Sequence, residues 1–208
     1  SNIIEQESNS ISDNPIVLPK SEEIVSSGHF HGEALAQALD CAAIAITGFG
    51  TISERRIFNL LDGKFGLPPF LVENPGLNSG FMMLQVTAAA LVSENKTLSH
   101  PASVDSIPTG AGQEDHVSMS PWAGRKLLQI IDNIESIFAI EFIVASQAID
   151  YRNGLKPAEA LIPVQNLLRE NIPKLNKDRM IIKEIDIAKD LVKSGKIVSS
   201  IKSKQILN

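Results

Sequence analysis

Residues 113–119, with the sequence QEDHVSM, bring two carboxylates and an imidazole into one short polar segment. Glu114 and His116 are of types that transfer protons, and a carboxylate can also accept a hydrogen bond from an imidazole N–H. One proline and two glycines within 108–112 predict a loop immediately before the segment. The segment is therefore a candidate for acid–base chemistry or for binding a nitrogen-containing ligand.

A long helix must position this segment. Apolar residues recur at helical spacing over 122–151, and Pro121 suits the first helical turn, with Ser120 as its N-cap. The pattern predicts a helix of roughly 30 residues, about 45 Å long. The two acids near its N-terminal end could simply complement the helix dipole, while the histidine bonds to a neighbour. On the residues alone, this structural interpretation is preferred to a catalytic one.

Composition narrows the class of protein. With 208 residues, 43% of them hydrophobic, the chain is long enough for one domain with a sizeable core. A net charge of −5 argues against nucleic acid or an anionic membrane as the main partner. No signal peptide is visible, and the apolar runs 34–46 and 81–92 are shorter than the roughly 20 residues that span a bilayer. We expect a cytoplasmic protein in which Cys41, the single cysteine, is a buried thiol.

The pattern of apolar residues predicts an all-α fold, because no segment alternates convincingly with a period of two. The run 32–47 is apolar nearly all round, which predicts a helix buried on every side. Gly48 and Gly50 are expected to end it, and a capping-box pattern at 51–54 then opens a shorter helix through Leu61.

Further helices are predicted over 81–95 and, near the end of the chain, around 163–170 and 185–194, where the pattern is amphipathic. We expect three regions, which are a helix end with an irregular lead-in (1–28), a central helical bundle (29–152) and peripheral helices (153–208).

The chain also contains an ordered set of short runs, which are SDNP (12–15), FHG (30–32), ISERR (52–56), GLPPFL (66–71), NPGLNSGFM (74–82), HPASVDSIPT (100–109) and QEDHVSM (113–119). In this order and near this spacing, the set resembles the C-terminal half of histidine ammonia-lyases, within the aromatic amino acid lyase family. The resemblance covers about residues 4–152. It implies a long-helix bundle of the ammonia-lyase/aspartase-like type, with short peripheral C-terminal helices, assembled as a homotetramer.

The resemblance also implies an activity, the elimination of ammonia from L-histidine to give urocanate in histidine degradation. These lyases use an electrophile, 4-methylidene-imidazol-5-one (MIO), that forms from an internal Ala-Ser-Gly. This chain contains no Ala-Ser-Gly. The cofactor would then form in an N-terminal half, a partner of this one, and this chain would carry none and be inactive alone. Two alternatives stay open: a phenylalanine or tyrosine ammonia-lyase or aminomutase, and a non-catalytic helical assembly module.

Site residues follow from the same resemblance. Glu114 matches the acid that faces the substrate imidazole, as a catalytic and substrate-binding residue. Phe30 matches a phenylalanine that lines the pocket, although an ordinary core aromatic is the alternative. Met82 could form an apolar wall or simply fill the core. The remaining motif residues, expected to support the site, are His29, His31, Asn78, Gln113 and His116.

Several of these residues have other interpretations. His29 and His31 are two apart and lack the spacing of a helical metal pair, so no metal site is expected. His31 could cap the next helix or bond to backbone, and Asn78 could be an N-cap. The family usually has Asn at position 29, and Ser and Asn where this chain has Gly110 and Gly112. Those glycines are expected to loosen the loop before Glu114.

Overall fold

Helices account for most of the regular structure in a computed structural model that describes residues 2–152 and 154–201. In chain order the helices are α1 (Asn2–Ser8), α2 (Glu33–Leu61), α3 (Met82–Leu98), α4 (Ser120–Asp150), α5 (Ile162–Asn171), α6 (Ile182–Lys193) and α7 (Lys196–Ser200). The predicted all-α class is confirmed. One small antiparallel hairpin joins β1 (Ile16–Leu18) to β2 (Glu23–Val25), with Ile16 opposite Val25. Strands of three residues are too short to show an alternating pattern.

The chain divides into two compact units. The first contains Ser1–Thr47 and Lys96–Ile131, and the second contains Gly48–Asn95 and Asp132–Asn208. Helices α2 and α4 each contribute residues to both units. The division into lead-in, central bundle and peripheral helices remains a prediction.

Helix α2 is one continuous helix of 29 residues, so the predicted break at the glycines is wrong. Glycine costs a helix interior about 1 kcal/mol relative to alanine, which packing can outweigh. A Cβ on Gly50 would lie 2.5 Å from Cδ1 of Ile134, so the missing side chain permits a close approach. The predicted capping box has no helix start to cap, because 51–54 lies inside α2. The Glu54 carboxylate is bound by Arg55 at 2.5 Å and by Gln85 at 2.9 Å.

Because α2 is unbroken, its apolar segment is longer than the sequence predicted. His29–Leu61 is long and apolar enough to cross a membrane by length and composition, whereas the run 34–46 alone is too short. Long core helices of globular proteins pass the same test, so this property does not distinguish the two environments.

Helix α2 is buried along one stripe only. Its buried residues recur mostly at intervals of three and four, much as in a coiled-coil seam, and they are Ala36, Asp40, Ala43, Thr47, Gly50, Ser53, Glu54, Ile57 and Leu61. On other faces Ile44, Phe49 and Ile52 are exposed, as is Cys41. The predictions of a helix buried all round and of a buried thiol are therefore wrong for the single chain, which covers only one side of this helix.

Helix α4 has 31 residues, as its periodicity predicts. Ser120 is its first helical residue rather than its N-cap, because the carbonyl of Met119 accepts the hydrogen bond from the Ala123 N–H at 2.9 Å. The peripheral helices α5 and α6 also lie where predicted. Gly195 follows α6 with a φ of 71°, a left-handed conformation that glycine adopts without strain.

Candidate active site

A cleft of about 310 Å³ in the first unit contains the QEDH segment. Three stretches that are distant in sequence meet there, and the lining residues are Asn14, Ser26, Ser27, Gly28, Phe30, His31, Gln113, Glu114, Asp115 and His116. Of the predicted site residues, the cleft therefore brings together Phe30, His31, Gln113, Glu114 and His116.

The wall that carries Phe30 is a 3₁₀ turn, His29–His31, immediately before α2. The N–H of His31 donates to the carbonyl of Gly28 at 3.1 Å, and that of Gly32 donates to His29 at 3.0 Å. Gly32 has a φ of 72°, and a Cβ there would lie 3.1 Å from Oγ of Ser120. A left-handed glycine thus turns the chain into α2 where the start of α4 passes closely.

Glu114 is held by a tight turn. Its carbonyl accepts from the N–H of Thr109 at 3.0 Å, and its own N–H donates back to the Thr109 carbonyl at 3.3 Å. Gly110, Ala111 and Gly112, between them, all have positive φ values of 59°, 57° and 89°. Glycine suits two of these three positions, so Gly110 and Gly112 fit a closed turn. That they loosen the loop stays a prediction.

The side chain of Glu114 meets an imidazole. Its Oε2 lies 3.1 Å from Nε2 of His31, and the two side chains are 40% and 17% exposed respectively. The ring of His31 lies against that of Phe30, with centroids 4.2 Å apart. The His31 carbonyl accepts a hydrogen bond from the hydroxyl of Ser118. The side chain of His31 therefore contacts the Glu114 carboxylate and does not cap the next helix.

Phe30 is 43% exposed, so the alternative of an ordinary core aromatic does not hold in this chain. Its ring and the partly exposed carboxylate of Glu114 both line the cleft. An aromatic face beside a carboxylate is an arrangement that can bind a flat ring carrying N–H donors.

The other two histidines near the cleft also face carboxylates. Nε2 of His29 lies 3.0 Å from Oε2 of Glu7 in α1, and Nε2 of His116 lies 3.6 Å from Oε2 of Glu33, the first residue of α2. His29 thus faces α1 and is not among the residues that line the cleft. These contacts lie between α1 or α2 and the segments that carry the site.

Asn14 is a cleft residue that the sequence did not identify as part of a site. Its Oδ1 accepts from the N–H of Ser27 at 3.0 Å and from the Ser26 hydroxyl at 3.4 Å. Asn14 could have been identified from the run 12–15, which belongs to the ordered motif set. Asp115, in the QEDH segment itself, also lines the cleft.

Met82 and Asn78 belong to the second unit. Asn78 donates from Nδ2 to the carbonyl of Glu73 at 3.0 Å, and its Oδ1 accepts from the N–H of Asp178 at 3.4 Å, so it holds a loop together. Met82 is half-buried at the start of α3. The predicted role of Met82 in binding substrate and that of Asn78 in supporting the site stay predictions.

The described residues contain no cluster of potential metal ligands. Within residues 2–152 and 154–201, no three side chains of His, Cys, Asp or Glu are grouped so as to hold a metal ion. The side chains that line the cleft offer two carboxylates, two imidazoles, amides and hydroxyls.

Comparison with known proteins places the chain in a class. The family model for aromatic amino acid lyases matches residues 1–170, so the chain belongs to the aromatic amino acid lyase family. The family predicted from the ordered motifs is confirmed, and so is the helical fold type.

Named relatives give a finer comparison. Histidine ammonia-lyase from Photorhabdus laumondii is 50% identical over 206 residues, which cover 99% of this chain and 40% of that protein. The crystal structure of histidine ammonia-lyase from Trypanosoma cruzi superposes with a TM-score of 0.90 at 47% identity, covering 96% of this chain and 40% of that one. Tyrosine aminomutase from Streptomyces globisporus gives 0.85 at 36% identity, covering 93% and 37%. The chain thus spans about 40% of the length of the curated relatives it matches.

Proposed function

We propose that the whole protein to which this chain belongs is a histidine ammonia-lyase, which eliminates ammonia from L-histidine to give urocanate. The proposal is carried by Glu114, a carboxylate that lines a cleft beside the exposed ring of Phe30. The identity of 50% with a histidine ammonia-lyase supports the same substrate.

In this proposal the Glu114 carboxylate contacts the substrate from its place in the lining of the cleft. A carboxylate accepts a hydrogen bond from an imidazole N–H and favours the cationic form of that ring. A carboxylate is also a suitable base for abstracting a proton. Phe30 would lie against the substrate ring and Met82 would add an apolar wall, while His29, His31, Asn78, Gln113 and His116 support these groups.

The electrophile of the reaction must come from elsewhere in the protein. The MIO group of this family supplies, when bound, an electron-poor centre that activates the amino acid for elimination. The chain has no Ala-Ser-Gly from which the group could form. Its own residues can bind the substrate ring and hold a proton at the Glu114 carboxylate, so we propose that this chain alone is inactive and requires the N-terminal half.

We also propose that the whole protein is a cytoplasmic homotetramer with neither nucleic acid nor a membrane as partner. The exposed apolar residues on three long helices support assembly with further copies, and they include Ile44, Phe49, Ile52, Met83, Val86 and Leu128. Apolar side chains left in water are unfavourable, so their exposure supports burial against further copies or against the N-terminal half.

The test is turnover by the full-length protein. We expect urocanate, detected by its ultraviolet absorbance, from L-histidine and slower or no product from phenylalanine and tyrosine. Glu114→Gln should lower kcat/KM for histidine by about 10² or more, while the cost in stability stays near the 0.3–1 kcal/mol of a dipole-complementing acid. Glu170→Gln makes the same chemical change at an exposed position of α5 and should leave turnover unchanged.

Other results would favour the alternatives. Preference for tyrosine or phenylalanine would identify an aromatic lyase or aminomutase of the same family. No turnover of any of the three amino acids would favour the non-catalytic assembly module.

A further inference from the structure

We propose that His31 is a positioning residue, which fixes the carboxylate of Glu114 and thereby sets the preference of the site for a ring with an N–H donor. This inference rests on the proposed function. Its basis is the contact of 3.1 Å between Nε2 of His31 and Oε2 of Glu114, two residues that line the cleft.

His31 is itself rigidly held, as a positioning residue must be. Its side chain is mostly buried, and its ring lies against Phe30 with centroids 4.2 Å apart. The backbone N–H of His31 donates to the Gly28 carbonyl at 3.1 Å. The backbone carbonyl of His31 accepts a hydrogen bond from the hydroxyl of Ser118, four residues after Glu114. The backbone of His31 is thus bonded to the same segment whose carboxylate the imidazole contacts.

Glu114 needs such a partner. The turn from Thr109 fixes its backbone, but its side chain has several rotatable bonds and is partly exposed in the cleft. An unrestrained carboxylate would lose rotamer freedom on binding substrate, at a cost of about 0.5–1.5 kcal/mol. If His31 already holds the carboxylate before substrate binds, the entropy is lost during folding and not during binding and catalysis.

The contact also explains a preference for nitrogen-containing rings. Since His31 engages Oε2, the geometry directs an incoming donor toward Oε1, the other oxygen of Glu114. A substrate imidazole can supply that donor, whereas a phenyl ring would bury a carboxylate oxygen without a partner. Sites that bind a donor in this way discriminate strongly against analogues that lack it.

The experiment compares variants of His31 in the full-length protein. His31→Gln keeps an N–H donor near the position of Nε2, His31→Phe keeps a ring without a donor, and His31→Asn keeps an amide that is too short. We expect His31→Phe and His31→Asn to lower kcat for histidine by about 10–100-fold, with a smaller change in KM. His31→Gln should recover most of the loss. His100→Gln, the same change in an exposed histidine outside the cleft, should behave as wild type.

A structural role would give a different pattern. In a Glu114→Gln background, His31→Phe should cause little further loss, because its effect acts through the carboxylate. Equal loss in the Gln, Asn and Phe variants, additive losses with Glu114→Gln, or an unchanged kcat in His31→Phe would each overturn the inference. If His31→Phe fails to fold, the Gln and Asn variants decide. A wild-type protein that does not act on histidine would overturn the proposed function and this inference together, whereas active wild type with unaffected His31 variants overturns the inference alone.

Discussion

The side-chain amide of Gln147 forms two hydrogen bonds with the backbone of Leu175. Its Nε2 donates to the Leu175 carbonyl at 2.8 Å, and its Oε1 accepts from the Leu175 N–H at 3.1 Å. The same Nε2 donates to the carbonyl of Leu71 at 3.0 Å. Gln147 is fully buried, so one side chain of α4 ties the backbone at Leu71 and at Leu175 to the core of the second unit.

Gln147→Ala should be strongly destabilising, because it leaves three buried backbone groups without a partner. Each unsatisfied buried group costs about 1–3 kcal/mol, so the total loss should reach at least about 3 kcal/mol. Denaturant unfolding of the whole protein measures it. Gln37→Ala removes one exposed hydrogen bond, to Glu33 at 2.9 Å, and should cost less than about 0.5 kcal/mol. Similar losses in the two variants would contradict this account of Gln147.

Gly50→Ala should destabilise the protein by about 1–3 kcal/mol through overpacking. The added Cβ would lie 2.5 Å from Cδ1 of Ile134 and 3.3 Å from Cδ1 of Ile137, and both isoleucines are buried. Gly124→Ala, in the interior of α4, meets only Leu39 at 3.7 Å and should be neutral or stabilising, because alanine favours the helix. Thermal unfolding midpoints of the two variants should therefore move in different directions, or by clearly different amounts.

Tyr151 should make the protein less stable in alkali. Burial raises the pKa of Tyr151 above its ordinary value of 10.0, and the negative charges of Glu73 and Asp150 raise it further. Lys174 lies over the ring, with Nζ 4.5 Å from its centroid. Above the unfolded pKa the unfolded chain releases the phenol proton while the folded chain retains it, so stability is present below about pH 10 and falls as pH rises toward the folded pKa.

Tyr151→Phe tests this by removing the titrating group. Between about pH 9 and pH 11, wild type should lose more stability than the variant. Subtracting the ultraviolet titration curve of the variant from that of wild type should also show one tyrosine that ionises above its ordinary pKa. Ionisation of that tyrosine at or below its ordinary pKa would contradict the prediction.

Phe49→Lys should disrupt the proposed assembly, because Phe49 is 61% exposed on an apolar face of α2. A charge on a surface that is buried between copies would be costly to desolvate. Light scattering on the full-length protein should show a smaller species for this variant. Met180→Lys places the same charge at a residue that is 84% exposed outside the long helices, and it should leave the mass unchanged. A tetramer unaffected by Phe49→Lys would exclude this face as the interface.

Local patterns were sufficient for much of the helical architecture. Helix α4 and the peripheral helices α5 and α6 lie where periodicity and helix-end residues predict them. Period, capping and proline preference act over a few residues, so the sequence contains them directly. The length of α2 could not be predicted in this way. The helix-breaking tendency of Gly50 is opposed by its packing against Ile134, which is remote in sequence.

The sequence by itself determined which chemical groups the site contains, namely the carboxylate of Glu114, the ring of Phe30 and nearby imidazoles. It also determined the family, through an ordered set of motifs. Only the tertiary structure decided the partners: His29 faces Glu7, whereas His31 faces Glu114. The two histidines are two residues apart and identical in type, so nothing local distinguishes them. Their partners depend on which distant segments the packed helices bring within hydrogen-bonding distance, and that is a property of the folded chain.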